Sequence, residues 1–140
     1  MVKKRRIKII ICIIIVICVV ITIIPPRFKT ISAEIEENWN VNLPKGKVIY
    51  QKDNFTIDGI KYAVVQCTDS EKLNSVFPWS KLNKQDIKTV DNYLDVLSVN
   101  KRIRPLYDDA KSYEAKEDDD TLYVIYSKQQ ERLYVLEIFY

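Results

Sequence analysis

Two neighbouring stretches, Thr121–Ser127 (TLYVIYS) and Arg132–Tyr140 (RLYVLEIFY), decide the fold of this chain. Both are rich in β-branched and aromatic residues, and the polar sequence KQQE joins them. This pattern predicts the two strands of a β-hairpin. Side chains alternate between the two faces of a strand, and here both sets are largely apolar. Such strands lie inside a sheet that is covered on both faces, or in a sheet with one covered face and one face that contacts a partner.

Earlier parts of the chain carry further strand signals. KVIYQK at 47–52 and IKYAVVQC at 60–67 are strand candidates, and Asp58 with Gly59 between them is a typical hairpin-turn pair. A further segment, 111–116, is a weaker strand candidate. Together with the C-terminal hairpin, these segments predict an antiparallel sheet of about five strands.

One long helix is predicted at 83–98. Asn83 is a good N-cap, and the apolar residues after it recur at helical spacing as Ile87, Val90, Leu94 and Leu97. A shorter helix is expected before Trp39, with Ile31 and Ile35 on its apolar face. The fold class is therefore α+β, with the 83–98 helix as the main cover of the sheet.

The most apolar stretch is 7–24 (IKIIICIIIVICVVITII), which follows the basic sequence MVKKRR at 1–6 and precedes two prolines. Its eighteen residues reach about 27 Å as a helix, close to the ~30 Å hydrocarbon core of a bilayer. Five basic residues lie before the uncharged run and two lie after it, which favours a cytoplasmic N-terminus. We therefore expect a single-pass signal anchor in the lipid bilayer of the cell membrane.

A cleaved signal peptide is the alternative to an anchor, since Ile31-Ser32-Ala33 offers a small residue for cleavage. The apolar run is longer than in most signal peptides and ends nine residues before Ala33, which favours the anchor. The expected organisation is a basic cytoplasmic N-terminus at 1–6, a transmembrane anchor at 7–24, a linker with a short helix at 25–46 and an extracytoplasmic α+β domain at 47–140.

The charge balance differs between the anchor and the domain. The chain has 22 Lys or Arg and 19 Asp or Glu, but residues 1–30 hold seven of the basic residues and no acidic residue. The remaining fifteen basic and nineteen acidic residues give 31–140 a net charge of −4. A mildly acidic domain is not expected to bind nucleic acid.

The residue types present also exclude several classes of catalytic, metal-binding and nucleotide-binding site. The chain has no histidine, which excludes Ser-His-Asp and Cys-His catalytic groups and His-ligated zinc. Two of the three cysteines lie in the predicted span, and Cys67 is interpreted as a small buried apolar residue. Two glycines are too few for a nucleotide-binding loop. We expect no cofactor, and we expect that the protein is not an enzyme.

Two acidic features are candidates for a metal site or a catalytic site. The run 117–120 is densely acidic, but consecutive side chains diverge and no glycine is near, so a solvated hairpin tip is expected rather than a metal site. Glu137 lies among apolar residues of a predicted strand, where pairing with Lys or Arg is expected. The alternative is a carboxylate-dependent enzyme in which Glu34 or Glu36 is the second acid.

Tyrosine is frequent, with nine residues that lie mostly in predicted strands. Tyrosine packs well on pleated surfaces and is also common at recognition surfaces. A partly uncovered, Tyr-rich sheet face is therefore the predicted partner-binding site. Its candidate residues, with the aromatic insert at 77–79 included, are Tyr123, Tyr126, Tyr134, Glu137, Phe77 and Trp79. The alternative for the insert is that its two aromatic residues close the rim of the core.

Three short motifs lie in the domain: WNVxLPKG at 39–46, DGxKY at 58–62 and LYVLE at 133–137. In these motifs the chain resembles small single-pass membrane-anchored proteins of uncharacterised function from Gram-positive bacteria, and the resemblance covers most of 34–140. The layout is also similar to that of anchored immunity proteins that intercept toxins outside the membrane. The leading hypothesis is a non-enzymatic module that binds a protein partner, and the similar layout of immunity proteins suggests an immunity-type role. The alternatives are a carboxylate-dependent cell-envelope enzyme and a structural subunit of a membrane complex.

Overall fold

The computed structural model of the protein describes residues 30–54, 59–67 and 70–140. Ile31–Tyr140 form one compact unit, whereas the predicted domain covers 47–140. The fold class of this unit is α+β, as predicted. Its elements in chain order are α1 (Ile31–Trp39), β1 (Lys47–Asn54), β2 (Gly59–Gln66), α2 (Ser70–Val76), β3 (Ser80–Lys81), α3 (Lys84–Val96), a 3₁₀ turn (Lys101–Ile103), β4 (Ala110–Glu117), β5 (Asp120–Ser127) and β6 (Arg132–Phe139).

The strands form one antiparallel sheet in the order β1-β2-β6-β5-β4-β3. The predicted C-terminal hairpin is confirmed, because β5 and β6 pair directly and are the two central strands. The described sheet has six strands where about five were expected. The additional strand is β3, whose two residues pair with the start of β4.

Helices cover both faces of this sheet. The α1/α2 face is the one on which Ile31, Ile35, Leu73 and Phe77 are buried against the sheet. Its strand residues are Ala63, Val65, Leu122, Val124, Tyr126, Leu133 and Val135. The α3 face buries Val90 and Leu94 of α3, and its strand residues are Ile60, Tyr62, Val64, Tyr123, Ile125, Tyr134, Leu136 and Ile138. The sheet is therefore the middle layer of three, which explains why both sets of side chains in β5 and β6 are apolar.

Helix α3 begins where the sequence predicts. Oδ1 of Asn83 accepts hydrogen bonds from the backbone N–H groups of Gln85 at 2.8 Å and Asp86 at 2.9 Å. These bonds satisfy two of the amides that have no partner inside the helix. The predicted apolar stripe is buried at Val90 and Leu94, so this helix covers one sheet face as expected.

Helix α2 lies in a stretch whose sequence predicts turns. Its buried side chain is Leu73, with 0% exposure, and Nε1 of Trp79 donates to the Leu73 carbonyl at 2.8 Å. That bond supplies a partner for a carbonyl near the helix end, where none is available inside the helix. A helix of seven residues is too short to show a clear helical period in the sequence.

Part of the predicted organisation lies outside the described residues. This applies to the basic N-terminus at 1–6, the anchor at 7–24 and Asp58 of the predicted hairpin turn. In the part of the chain that the structure describes, every helix is too short or too polar to cross a membrane.

Candidate functional site

The aromatic residues predicted to bind a partner are buried or partly buried. The exposed fraction is 7% for Tyr123, 4% for Tyr126, 1% for Tyr134 and 6% for Phe77, and Trp79 is partly buried. The expected open, Tyr-rich sheet face is not formed, because α1 and α2 cover one face and α3 covers the other. These side chains therefore contribute to the core of the domain rather than to an exposed contact surface.

The aromatic insert closes the rim of the core on the α1/α2 face. The ring of Phe77 lies 4.9 Å from that of Trp79 and 5.1 Å from that of Tyr113. Trp79 also contacts Tyr126, with ring centres 6.2 Å apart. The structure thus brings three of the predicted residues together, and it places Tyr134 on the opposite face of the sheet.

Glu137 is fully buried, and among the described residues its hydrogen bonds come from the C-terminal end of α1 rather than from the Lys or Arg that the sequence led us to expect. Nε1 of Trp39 donates to Oε1 of Glu137 at 2.8 Å, and Nδ2 of Asn38 donates to the same oxygen at 3.4 Å. Among the described residues, Oε2 of Glu137 has no hydrogen-bond partner. The carboxylate therefore fastens α1 to the central strand β6.

The predicted second acids are not arranged as a catalytic pair with Glu137. Lys61 lies directly opposite Glu137 in the β2–β6 register, and its Nζ lies 3.2 Å from a carboxylate oxygen of Glu34. Glu36 is exposed on α1. A substrate would reach the enclosed Glu137 only if α1 left the sheet, so the cluster is better suited to holding a helix than to hydrolysis.

The acidic run at 117–120 forms the hairpin tip between β4 and β5, as expected. Asp118 has a φ of 52°, a left-handed conformation that aspartate tolerates in tight turns. Oδ1 of Asp120 accepts the backbone N–H of Tyr140 at 2.9 Å, which ties the tip to the end of β6. Within residues 30–54, 59–67 and 70–140, no three His, Cys, Asp or Glu side chains are placed so that they could hold a metal ion together.

Cys67 is buried at the end of β2, with 3% of its surface exposed. Burial raises the pKa of its thiol from 9.0 to about 11. At neutral pH the thiol is therefore protonated and unreactive. The interpretation of Cys67 as a small buried apolar residue is confirmed.

Two adjoining open cavities form a groove between the connection after α1 and the end of α2. The first has a volume of about 370 Å³, and its lining includes Val41, Asn42, Val76, Phe77, Pro78 and Tyr113. The second has a volume of about 380 Å³ and is lined by Asn42, Leu43, Pro44, Lys45, Lys72 and Val76. Because Asn42 and Val76 line both cavities, they form one continuous surface, which we call the α2 groove.

One wall of the α2 groove is the segment 41–45. Val41 and Leu43 are each 8% exposed and Asn42 between them is exposed, so burial alternates over 41–43 as it does along a strand, whereas Pro44 is partly buried and Lys45 is exposed. Within the described parts of the chain, the main-chain N–H and C=O groups of 41–45 make no hydrogen bond to another protein group. Main-chain polar groups in folded proteins are usually paired. The N–H groups of Val41, Asn42, Leu43 and Lys45 therefore have no protein partner among the described residues, and Pro44 has no N–H to donate.

Gly46 fixes the end of this segment against β2. A Cβ at this position would lie 2.5 Å from the carbonyl oxygen of Gln66 and 2.5 Å from Cγ1 of Val65. Real Cβ atoms do not approach other atoms so closely. Only a residue without a side chain lets the connection run this close to the sheet before β1 begins.

The two ends of the α2 groove differ in chemistry. Phe77, Pro78 and Tyr113 make one end apolar, whereas Lys45 and Lys72 line the other. Neither Asp nor Glu lines either cavity in the described part of the chain. Val76 lies where the two cavities meet, and 41% of its surface is exposed.

A smaller cavity of about 180 Å³ lies beside β4 and is lined by Asn74, Asp109, Lys111, Tyr126 and Lys128. The carboxylate of Asp109 already accepts hydrogen bonds from Oγ of Ser127 at 2.9 Å and from the backbone N–H of Gln129 at 2.6 Å. These bonds hold the turn after β5, so Asp109 has a structural role.

Of the predicted site residues, Phe77 is the one that lines the α2 groove. Sequence reasoning missed the rest, because the groove forms where the connection at 40–46 meets a helix that the sequence did not reveal. The available signal was the pair of apolar residues Val41 and Leu43 in that connection, which indicates a segment held on the domain.

Comparisons with family models, with curated proteins and with solved structures found no match to this chain.

Proposed function

We propose that this protein is held in the cell membrane by residues 7–24, with its N-terminus in the cytoplasm and its domain outside. We further propose that the domain is a non-enzymatic module that binds a protein partner in the α2 groove. The observation that carries this proposal is the segment 41–45, which presents unpaired main-chain groups beside a cavity lined by both apolar and polar residues.

The shape and exposure of the α2 groove support a binding role. A concave apolar surface with a few polar groups is typical of recognition sites. Val76 exposes 41% of its surface at the centre of the groove, and an exposed apolar residue in such a position adds contact area for a ligand. The Tyr-rich sheet faces cannot provide this surface, since both are covered.

The burial and the hydrogen bonds of Glu137 favour a binding role for the domain over a catalytic one. Its carboxylate is 0% exposed and is held by Trp39 and Asn38. The chain also lacks histidine, so a carboxylate enzyme would depend on this residue. An enzyme of that kind needs a second acid that converges on the same bond, and Glu34 is paired with Lys61 instead.

The binding site is tested by photo-crosslinking in the cells that produce the full-length chain. A photoreactive amino acid at Val76 should give a discrete crosslinked protein. The matched control is Val96, an apolar residue on α3 that is 62% exposed. The product from Val76 should disappear when Asn42→Trp fills the groove and persist with Asn92→Trp on α3. The same products from both positions, or a product from Val76 that survives Asn42→Trp, would contradict the proposal.

The location is tested independently on the full-length chain. We expect the protein to resist alkaline extraction from membranes, and we expect its domain to be digested by protease added outside intact spheroplasts. A mature protein whose first residue is Glu34 would instead show that the N-terminal segment is cleaved.

A further inference from the structure

We infer that the partner binds the α2 groove through an extended segment that carries a carboxylate, and that this segment pairs as a strand with the main chain of 41–45. This inference rests on the proposed function, and it specifies the chemical class of the partner.

Strand addition is favoured by the unpaired main chain. Burial alternates over 41–43 as it does in a strand, and none of the N–H or C=O groups of 41–45 is paired within the described residues. A chain that lies alongside can form the hydrogen bonds of a sheet ladder with them. Because Val41 and Leu43 are anchored in the core, the segment is already ordered before binding, which lowers the entropy lost on association.

The outer edge of β1 is the competing place for strand addition, and it is less suitable. The register between β1 and β2 shifts between Val48 and Tyr50, which marks a bulge. Lys47 and Lys52 also lie on this strand. Bulges, lysines and prolines are features that prevent edge pairing. In 41–45 such features are confined to the end of the segment, at Pro44 and Lys45, so Val41, Asn42 and Leu43 provide the uninterrupted main chain for pairing.

The charge of the groove defines the partner more closely. Lys45 and Lys72 line one cavity, and neither Asp nor Glu lines either cavity in the described residues. A carboxylate at this end meets two ammonium groups, although the domain 31–140 has a net charge of −4. At the other end, the exposed Pro78 and the partly exposed ring of Tyr113 offer apolar surface to a side chain, whereas the ring of Phe77 is 6% exposed.

The length of the segment sets the size of the ligand. Five residues in a strand extend about 16 Å, which separates the apolar and basic ends by a short peptide. A pentapeptide with an aromatic residue at one end and an acidic residue at the other is therefore the smallest probe that can reach both. The direction of the bound strand is open, so both sequence orders serve as probes.

The test is a titration of full-length protein in detergent micelles with two labelled peptides, Phe-Thr-Val-Thr-Asp and its reverse, each acetylated and amidated. Fluorescence anisotropy should show that at least one of them binds about fivefold more tightly than its Asn-for-Asp counterpart. N-methylation of alternate amides should weaken it about tenfold or more. The preference for Asp should disappear in Lys45→Gln/Lys72→Gln and persist in the control Lys81→Gln/Lys111→Gln.

Equal binding of the Asp and Asn peptides, equal binding of the N-methylated peptide, or no binding of either sequence order at millimolar concentration would overturn the inference. The proposed function fails separately. If the crosslink from Val76 persists and the peptide results are negative, the groove binds a partner of another kind. If the crosslink is also absent, the groove is not the binding site.

Discussion

The indole of Trp39 donates a 2.8 Å hydrogen bond to the carboxylate of Glu137, which lies 98 residues further along the chain. This bond joins α1 to the central strand of the sheet beneath it. It also places the neighbouring connection, and therefore the first wall of the α2 groove, in a fixed position on the domain.

The first prediction concerns this bond. Trp39→Phe keeps a ring beside Phe139, whose centre lies 6.3 Å away, but it removes the N–H donor. We expect the free energy of unfolding to fall by about 1.5–3 kcal/mol, because a hydrogen bond to a buried carboxylate is lost. Urea titration of the full-length chain in detergent, followed by far-ultraviolet circular dichroism, measures this change.

The matched control is Trp79→Phe. Nε1 of Trp79 also donates at 2.8 Å, but to the uncharged carbonyl of Leu73. Loss of this hydrogen bond should lower the free energy of unfolding by about 0.5–1.5 kcal/mol. A loss for Trp79→Phe that equals or exceeds that for Trp39→Phe would contradict the assignment of Glu137 as the stronger acceptor.

The second prediction compares two tyrosines that stack on each other, with ring centres 6.4 Å apart. The hydroxyl of Tyr62 donates to the carbonyl of Ile103 at 2.7 Å, so Tyr62→Phe should destabilise the fold by about 1 kcal/mol. The buried hydroxyl of Tyr134 makes no hydrogen bond of normal geometry among the described residues, although the charged side chain of Arg132 lies near it. Tyr134→Phe should therefore change stability by less than about 0.5 kcal/mol or increase it. Thermal unfolding of both variants distinguishes them, and equal losses would show that Tyr134 is hydrogen-bonded.

The third prediction concerns Gly46. Gly46→Ala places a Cβ 2.5 Å from the carbonyl oxygen of Gln66, and neither backbone can yield without disturbing β2. We expect a loss of about 1–3 kcal/mol in the free energy of unfolding, as for other overpacked sites. The exposed neighbour Lys47→Ala is the control and should change stability by less than about 0.5 kcal/mol. A neutral Gly46→Ala would mean that the connection does not lie against β2.

The fourth prediction concerns the pH dependence that Cys67 gives to the free energy of unfolding. Its pKa is about 11 in the fold against 9.0 for a free thiol, so the native state holds the proton more tightly than the unfolded state does. The stabilisation is complete below pH 9 and is lost as the pH rises from 9 to 11. Between these pH values, the free energy of unfolding should fall more steeply for the natural chain than for Cys67→Ala. Parallel curves for the two proteins would exclude the buried thiol as a source of the pH dependence.

Much of the fold was predictable from local patterns. The hairpin of β5 and β6 follows from two long runs of β-branched and aromatic residues, and α3 follows from Asn83 and the stripe that contains Val90 and Leu94. Helix α2 was not predictable, because it has only seven residues and its packing depends on Leu73 and on the indole of Trp79. Tertiary contacts determine whether such a short helix forms, and these contacts produce no clear pattern in the local sequence.

The candidate site was less predictable than the fold. The pattern of β5 and β6 shows that both faces are apolar, but it does not show whether a helix or a partner covers each face. The structure resolves this point by placing Tyr123 under one layer and Tyr126 under the other. The α2 groove arises from contacts between 41–45 and residues 76–78, which are distant in sequence. Neither segment carries a sequence motif that indicates its contact with the other.

The strand order has a consequence for biosynthesis. β6 is the last of the described strands to be synthesised, yet it lies between β2 and β5. Until the ribosome has released residues 132–139, the pair β1–β2 and the pair β4–β5 share no neighbouring strand. The domain therefore assembles after translation of its final strand rather than step by step during translation. A nonsense mutation before residue 132 would leave two unjoined half-sheets with exposed apolar surface, a substrate for quality-control proteases rather than a shortened working domain.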